Sequence, residues 1–252
     1  MMILMGDSHT RSYTESKHLQ CIFVGPGNEN NLSSTLSLYI YLLKLSIIKR
    51  ATNNFDNKAF GLIVGESDLR IAVYGSYSLK NPTRTKTSQE RHIQRVLANF
   101  KRLCLLCNYF NLQISFVIGS GTPNKELFGI SRLLNSGLST IAKELEIAFF
   151  DPQSVFDKAE DRSSFFGKSV FNPLEDDWAH FSKHISKYFD EFSDNFMQAK
   201  LGKIGLEKTS SNFVSILFKK EFDCYYCKYS SILELFFKVA DRVESYIRKI
   251  FS

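Results

Sequence analysis

The sequence predicts an α/β fold in which a mainly parallel, five-stranded sheet is covered by helices on both faces. The chain has 252 residues, 44% of them hydrophobic, which is enough to bury a substantial core. Short apolar runs alternate along it with longer segments of helical periodicity. Near-continuous apolar runs are typical of strands covered on both faces, and strand–helix alternation favours a parallel sheet.

Five apolar runs have strand length, and helical segments separate them. Strands are predicted over residues 2–5, 20–24, 60–64, 113–118 and 146–150. Helices are predicted over residues 9–18, 32–50, 88–109 and 124–144. The third helix has apolar residues at helical spacing, which are Ile93, Val96, Leu97, Phe100 and Leu103. Residues 151–176 form a long connection, of the length at which loops are functional or contain short helices, and a helix is predicted over 178–197.

Two parts are expected in the chain: an α/β domain over residues 1–198 and a helical extension over 199–252. The extension begins with a polar, linker-like stretch and ends in an amphipathic helix over 228–252. The polar face of this helix has charges of both signs, which is a poor match to an anionic membrane. We therefore expect the helix to pack on the main domain or on a second copy of the chain, with peripheral membrane contact as the alternative.

Charge and hydropathy exclude several classes of protein. The net charge of +6 is small for this length, and charges of both signs are interspersed, so a solvated surface is expected and nucleic-acid binding is not. The first apolar run is too short for a secretory leader and lacks a basic flank. No apolar run reaches membrane-spanning length, and a cytoplasmic protein is expected.

Two C-x-x-C pairs occur, Cys104/Cys107 and Cys224/Cys227, and this spacing is used by zinc sites. The pairs are far apart in sequence, however, and the first lies in an apolar helical segment. Free cysteine often behaves as a small buried hydrophobic residue. We therefore expect the first pair to be core residues, and we predict no metal site.

Polar clusters follow the predicted strands. They cover residues 6–9, 25–28 and 65–70, directly after the first three strands, and residues 176–180, after the fifth. Ligands of doubly wound α/β proteins bind outside the carboxyl ends of the strands, so these clusters are the candidate site. The segment 117–126 has the glycines of a phosphate loop but not its spacing, and no nucleotide cofactor is predicted.

Ser8, in the first cluster, is a candidate nucleophile if a histidine takes its proton. His180 is the candidate base, because Asp177 precedes it by three residues. On a helical turn this spacing places both side chains on one side, where the carboxylate can orient the imidazole. The alternative is an Asp177 that caps a helix beside a surface histidine.

The order of these motifs resembles that of the SGNH (GDSL-like) hydrolase superfamily. Gly6-Asp7-Ser8-His9 after the first strand, glycine turns after the second and third, and Asp177-x-x-His180 near the end of the domain carry the resemblance over about residues 1–197. It implies a three-layer, flavodoxin-like α/β/α fold with no cofactor. It also implies a catalytic triad of Ser8, His180 and Asp177.

One motif departs from the family. The third motif of the family, called its third block, has an asparagine that donates to the oxyanion. This chain has Ser67 at that position. Ser67, Asn28 or Arg70 could replace the donor, or the oxyanion hole could be formed by the backbone N–H groups of Ser8 and Gly25.

The first and third motifs together, GDSH with GExDxR, are similar to a subgroup associated with bacterial surface-glycan biosynthesis. The remaining polar residues are then expected to bind substrate or to order the loops; they are Asp7, His9, Asn28, Glu66, Asp68 and Arg70. For Glu66, Asp68 and Arg70, a buried ion-pair cluster is the alternative to substrate contact. The resemblance thus implies an O-acyl ester hydrolase or acyltransferase for an acylated carbohydrate or other small ester. A non-catalytic protein that binds a glycan or a partner is the alternative.

Overall fold

The structure is a computed structural model that describes residues 2–6, 8–24, 35–51, 59–75, 84–110, 112–168 and 176–201. The chain divides into two units, Met1–Phe196 and Met197–Ser252. The first unit contains the sheet and the candidate site. Most of the second, including the predicted amphipathic helix and Cys224/Cys227, lies outside the described residues, and the predicted role of the extension stays a prediction.

A five-stranded parallel sheet forms the centre of the first unit. Its strands are β1 Met2–Gly6, β2 Leu19–Phe23, β3 Phe60–Ile63, β4 Ile114–Ile118 and β5 Ala148–Phe150. Their order is β2-β1-β3-β4-β5, and every adjacent pair is parallel. This is the flavodoxin-like order of a doubly wound sheet. The predicted α/β class and each predicted strand are confirmed, with shifts of one or two residues at the strand ends.

Six α-helices surround the sheet within the described part of the chain. They are α1 Thr35–Ala51, α2 Glu66–Tyr74, α3 Lys86–Tyr109, α4 Phe128–Glu144, α5 Pro152–Lys158 and α6 Ile185–Leu201. Helices α1, α3 and α4 were predicted, whereas α2 was treated only as a polar motif. Glycines in left-handed backbone enclose α2, Gly65 at φ 100° and Gly75 at φ 72°. None of the described helices is both long and apolar enough to cross a membrane.

The helix predicted over residues 9–18 is wrong. A 3-10 helix, Ser8–Tyr13, takes its place and is called the Ser8 helix below. The Met2 N–H donates to the His18 carbonyl oxygen at 2.6 Å. His18 is therefore already paired with β1. The segment that begins at residue 9 thus cannot be helical as far as His18.

The helix predicted to begin at residue 178 is also wrong in its first turns. Strand β7, Asp176–Phe181, pairs antiparallel with β6, Phe166–Lys168, and α6 begins only at Ile185. The Ser182 N–H donates to the Phe165 carbonyl oxygen at 2.8 Å, which extends this pairing. Phe181 stacks on Phe156 at 5.2 Å between ring centroids. These contacts stabilise extended backbone where the sequence pattern favoured a helix.

The core of the unit is rich in aromatic rings. Phe189 of α6 packs against Tyr13, Phe116 and Phe150, so it joins the Ser8 helix to the sheet. On α3, Cys104 and Cys107 are both fully buried and free, as predicted for core residues. Burial raises the pKa of the Cys107 thiol to about 12 and raises that of Cys104 as well.

Candidate functional site

The candidate nucleophile lies at the carboxyl end of β1, between β2 and β3. Ser8 is the first residue of the Ser8 helix and follows β1 after one residue. Only a glycine fits at position 6, because a side chain there would overlap Ile63 of the neighbouring strand β3. Asp7, Gly25 and Asn28 lie outside the described residues, so their roles stay predictions.

Strand β7 is hydrogen-bonded to the Ser8 helix. The Ser12 Oγ donates to the Phe181 carbonyl oxygen at 2.6 Å, and the Ser186 Oγ donates to the Ser12 carbonyl oxygen at 2.9 Å. Just beyond the helix, the Ser16 hydroxyl donates to the Asp190 carboxylate of α6. The motif that contains His180, which is more than 160 residues away in sequence, is therefore attached to the helix that begins at Ser8.

The predicted helical turn through Asp177 and His180 is not present, because both residues lie in β7. A strand rises about 3.3 Å per residue, so residues three apart are about 10 Å apart along it and occupy opposite faces. The i, i+3 spacing therefore does not supply the contact that the helical turn would have supplied. His184 was expected on the same helix as His180, but it lies in the turn before α6 and packs against Phe165.

A small cavity lies where the Ser8 helix, the ends of β3 and β4, α5 and β7 meet. His9, Val64, Gly121 and Phe181 are among the residues that line it. Ser8 immediately precedes His9, and His180 immediately precedes Phe181. Neighbouring residues of a strand face opposite sides, and residues 8 and 9 lie on different faces of the Ser8 helix, so this adjacency does not place either candidate residue in the cavity.

The three-residue repeat of the Ser8 helix places its residues on three faces. Side chains three residues apart eclipse in a 3-10 helix. His9 and Ser12 form one buried face, and Thr10 and Tyr13 form another. Residue 8 has its register position on the third face, with residue 11.

The four histidines whose side chains the structure describes all interact with other groups. His18 contacts the Asp194 carboxylate at 3.0 Å, and His92 contacts that of Asp68 at 3.3 Å. His184 packs on aromatic rings, and the buried His9 also has an interaction within the protein. The side chain of His180 lies outside the described residues, so its role as the base stays a prediction from the sequence.

The third motif folds into the first turn of α2. Ser67 is buried, and its Oγ has no hydrogen-bond partner among the described residues. Asp68 is fully buried and faces His92 of α3. A hydrogen-bonded, buried Asp68 is what the loop-ordering alternative predicts. Arg70 is half-buried and also interacts within the protein.

The hydrogen bonds of His92 define its tautomer. The Arg95 guanidinium lies 3.5 Å from Nδ1, and Asp68 lies 3.3 Å from Nε2. Because arginine only donates, these contacts favour the tautomer in which Nδ1 accepts and Nε2 donates its proton to Asp68. The feature of the sequence that could have indicated this pair is the position of His92, which lies directly before Ile93 on the buried face of α3.

The backbone N–H groups of the loop after β4 are hydrogen-bonded within the protein. The N–H groups of Gly119, Ser120 and Thr122 donate to Phe150, Asn135 and Gln153, and that of Asn124 donates to Thr122. These groups are therefore not available to bind a phosphate. Across the described ranges, no group of three or more His, Cys, Asp or Glu side chains is placed to hold a metal ion.

Comparison with known proteins gives matches in structure only. No protein-family model matches the chain, and no curated protein matches it in sequence. One similar solved structure is a candidate acylhydrolase of Bacteroides fragilis, with 14% identity, a TM-score of 0.47, and coverage of 79% of this chain and 87% of that one. An acetylxylan esterase of Geobacillus stearothermophilus has 11% identity, a TM-score of 0.43, and coverage of 84% and 96%. An extracellular lipase of Streptomyces rimosus has 12% identity, a TM-score of 0.44, and coverage of 77% and 98%.

Similarity at this level does not establish a function for this chain. The interpretation of the site therefore depends on its own residues and on the contacts among the elements that carry them.

Proposed function

We propose that the protein is a serine-dependent O-acyl ester hydrolase, with Ser8 as nucleophile and His180 as general base. The main support is the hydrogen bond from Ser12 to the Phe181 carbonyl oxygen, which attaches the His180 strand to the Ser8 helix. The order of the motifs, which resembles that of SGNH hydrolases, agrees with this assignment.

The mechanism uses groups of this chain alone. His180 takes the proton of Ser8 as the serine oxygen attacks the ester carbonyl. N–H groups of Ser8 and Gly25, with the hydroxyl of Ser67, are the proposed donors to the oxyanion. The protonated His180 then gives its proton to the departing alcohol, which leaves an acyl-serine. Water attacks this ester, His180 takes a proton from the water, and the acid leaves as Ser8 regains its proton.

Ser67 has a specific reason to be among the donors. A buried hydroxyl without a hydrogen-bond partner costs free energy, and an oxyanion at the N-terminus of α2 would supply the missing acceptor. A serine is shorter than the asparagine of the family, so the oxyanion would have to lie closer to α2.

The role of Asp177 is a separate part of the proposal. In the triad it orients His180 and stabilises the imidazolium. Because β7 is extended, this contact requires a geometry other than that of a helical turn. The variant Asp177→Asn tests it: a large fall in kcat supports a triad, and an unchanged kcat leaves a Ser8–His180 dyad.

The substrate class is proposed on the resemblance of GDSH and GExDxR to the glycan-biosynthesis subgroup. We propose an acylated carbohydrate as substrate, with transfer to a sugar hydroxyl as a second outcome where water is excluded, and a cytoplasmic location. Product analysis with an acetylated oligosaccharide and an unacetylated acceptor distinguishes the two outcomes. Free acid indicates hydrolysis, and a newly acetylated acceptor indicates transfer.

Steady-state hydrolysis of p-nitrophenyl acetate tests the chemistry. Ser8→Ala and His180→Gln are expected to lower kcat/KM at least about a thousandfold, since loss of a nucleophile or its base removes the covalent route. Ser139→Ala, on an exposed position of α4, is the matched control and should retain full activity. Wild-type rates in Ser8→Ala would contradict the proposal.

A non-catalytic, glycan-binding protein is the second candidate, and the serine in place of the third-block asparagine favours it. Loss of one oxyanion donor costs about 2.7–4 kcal/mol of transition-state stabilisation. Binding of an acetylated oligosaccharide by calorimetry, without turnover of any ester, would identify this function instead.

A further inference from the structure

We infer that the outer surface of helices α1 and α3 is a docking site for an anionic lipid membrane. The inference is independent of the proposed function, because none of the residues that carry it belongs to the candidate site. Three observations support it: the two helices lie side by side, one exposes apolar residues, and the other exposes a row of arginines.

Helices α1 and α3 lie side by side on one face of the sheet. Helix α1 connects β2 to β3, and α3 belongs to the connection from β3 to β4, so both connections cross the sheet in the same direction. Right-handed crossovers that run in the same direction place their helices on the same face. The two helices also contact each other directly. The sides of Thr35–Ala51 and Lys86–Tyr109 that point away from the sheet therefore adjoin, and together they are called the α1–α3 surface.

Helix α1 is apolar on its outward side. Among residues 38–46, whose side chains the structure describes, the exposed ones are Tyr39 and Leu43, at 50% and 51%. They are one helical turn apart, and Ile40 beside them is half-buried. A helix on the surface of a globular protein normally has charged or polar residues on this side. The outward side of α1 thus fits a partner that accepts apolar groups.

Helix α3 exposes a straight row of arginines that ends in apolar residues. Arg91, Arg95 and Arg102 are exposed, and their spacing places them on one side of the helix. Leu105 and Tyr109 continue the same row and are 50% and 79% exposed. Basic side chains combined with apolar and tyrosine side chains are typical of surfaces that lie at the boundary between water and lipid.

The charge of the two helices favours an anionic partner. Helix α1 contains no acidic residue in its sequence, and Glu90 is the only one in that of α3. Glu90 directly precedes Arg91, so it lies about 100° around the helix from the arginine row. Contact with an anionic lipid surface is worth about fivefold in affinity for each nearby Lys or Arg. The phosphates of a nucleic acid would also attract the arginines, but they offer no apolar contact to Leu43 or Leu105.

Vesicle co-sedimentation of the full chain tests the inference through Leu43. We expect the wild type to bind phosphatidylcholine vesicles that contain phosphatidylserine, to bind pure phosphatidylcholine far less, and to lose affinity as added salt screens the arginines. Leu43→Asp should lower the affinity at least about tenfold, because it removes an apolar contact and adds a charge that the lipid repels. Leu43→Met is the matched control, since it keeps an apolar side chain at the same exposed position and should bind as the wild type does. Circular dichroism checks that both variants are folded.

A second pair of variants tests the charge. Arg91→Glu should lower the affinity at least about fivefold. Lys187→Glu makes the same change in net charge at an exposed position of α6. Helix α6 packs on Tyr13 of the Ser8 helix, whose connection crosses the sheet in the opposite direction and therefore lies on its other face. Lys187→Glu should accordingly retain the affinity of the wild type.

The outcomes separate the α1–α3 surface from other binding sites. Loss of binding in Leu43→Asp and Arg91→Glu, with binding retained in both controls, supports the inference. Binding of Leu43→Asp equal to that of the wild type would overturn it, since another segment would then hold the membrane. Equal affinity of the wild type for neutral and anionic vesicles would overturn it as well, and so would binding to double-stranded RNA without binding to vesicles. None of these results affects the proposed esterase.

Discussion

The Ser12 Oγ lies 2.6 Å from the Phe181 carbonyl oxygen and donates to it, although the two residues are 169 positions apart. A second bond, from the Ser186 Oγ to the Ser12 carbonyl oxygen, lies on the same segment. The first bond links the helix that begins at Ser8 with the strand that contains His180, and the second links the same helix with α6. The backbone elements that carry the proposed nucleophile and base are thus linked by a hydrogen bond that involves neither residue.

Ser12→Ala should therefore impair catalysis from outside the reacting groups. It removes a buried hydrogen bond and leaves the Phe181 carbonyl oxygen without this donor, for an expected loss of about 1–3 kcal/mol in unfolding free energy. We expect kcat to fall by about ten- to a hundredfold, since small displacements of catalytic groups have effects of that size. Urea unfolding and steady-state kinetics measure the two effects. Normal kcat in the folded variant would contradict this role of Ser12.

Gly121 and Gly129 form a matched pair for the packing of β7. A methyl group on Gly121 would overlap Phe181 and approach Pro152 to 3.0 Å, whereas one on Gly129 meets nothing within 4 Å. Gly121→Ala should lower both the melting temperature and kcat. Gly129→Ala, in helix α4, should raise stability by about 0.5–1 kcal/mol with kcat unchanged. Equal effects in the two variants would show that β7 is not packed as described.

The strands and their polar ends could be predicted because each carries its signal locally. The runs at β1, β3 and β4 are almost entirely apolar, as is typical of strands covered on both faces, and Ser8 follows the first of them after one residue. Because the strands are parallel, their carboxyl ends all lie at the same edge of the sheet. The order of strands could be expected only from the family resemblance, since periodicity does not encode it.

The error at β7 has a tertiary cause. Nothing in the segment from Asp176 to Phe181 marks it as a strand, and its extended form depends on pairing with β6 and on the stacking of Phe181 on Phe156. Local propensity is a weak prior against such contacts. The Asp68–His92 pair was missed for a similar reason, because the helix that brings His92 to Asp68 is packed there by the fold.

His92 should stabilise the start of α2 through Asp68. Its Nε2 is 3.3 Å from the fully buried carboxylate. His92→Leu removes the donor, with an expected cost of about 1–3 kcal/mol, while the amide of His92→Gln can still donate. Because Ser67 adjoins Asp68, kcat should also fall in the leucine variant and recover in the glutamine variant. Gln94→Leu, at an exposed position of α3, is the control. Equal losses in both His92 variants would rule out the hydrogen bond as the cause.

Asp157 on α5 should make the protein less stable in acid. Its partial burial acts to raise its pKa, but hydrogen bonds from Arg132 and Gln153, with the charges of Arg132 and Arg162, hold it below the ordinary value of 3.8. A lowered pKa stabilises the fold above pH 3.8, and this contribution is lost as the pH falls through the folded-state value.

Arg132→Gln removes the largest of the interactions that lower this pKa. The unfolding midpoint in urea should be lower than that of the wild type at pH 7, and the difference should shrink toward pH 3. Arg91→Gln, on the exposed side of α3, should show no such trend. A difference that stays constant or grows in acid would contradict the assignment.

Peptide mapping after reaction with a fluorophosphonate probe tests the central claim most directly. The probe forms a covalent bond to a serine only where a base activates it, and mass spectrometry locates the adduct. We expect a single adduct on Ser8 in the wild type, and a greatly reduced adduct in His180→Gln. An adduct on a different serine, or no adduct under conditions that label a known serine esterase, would contradict it.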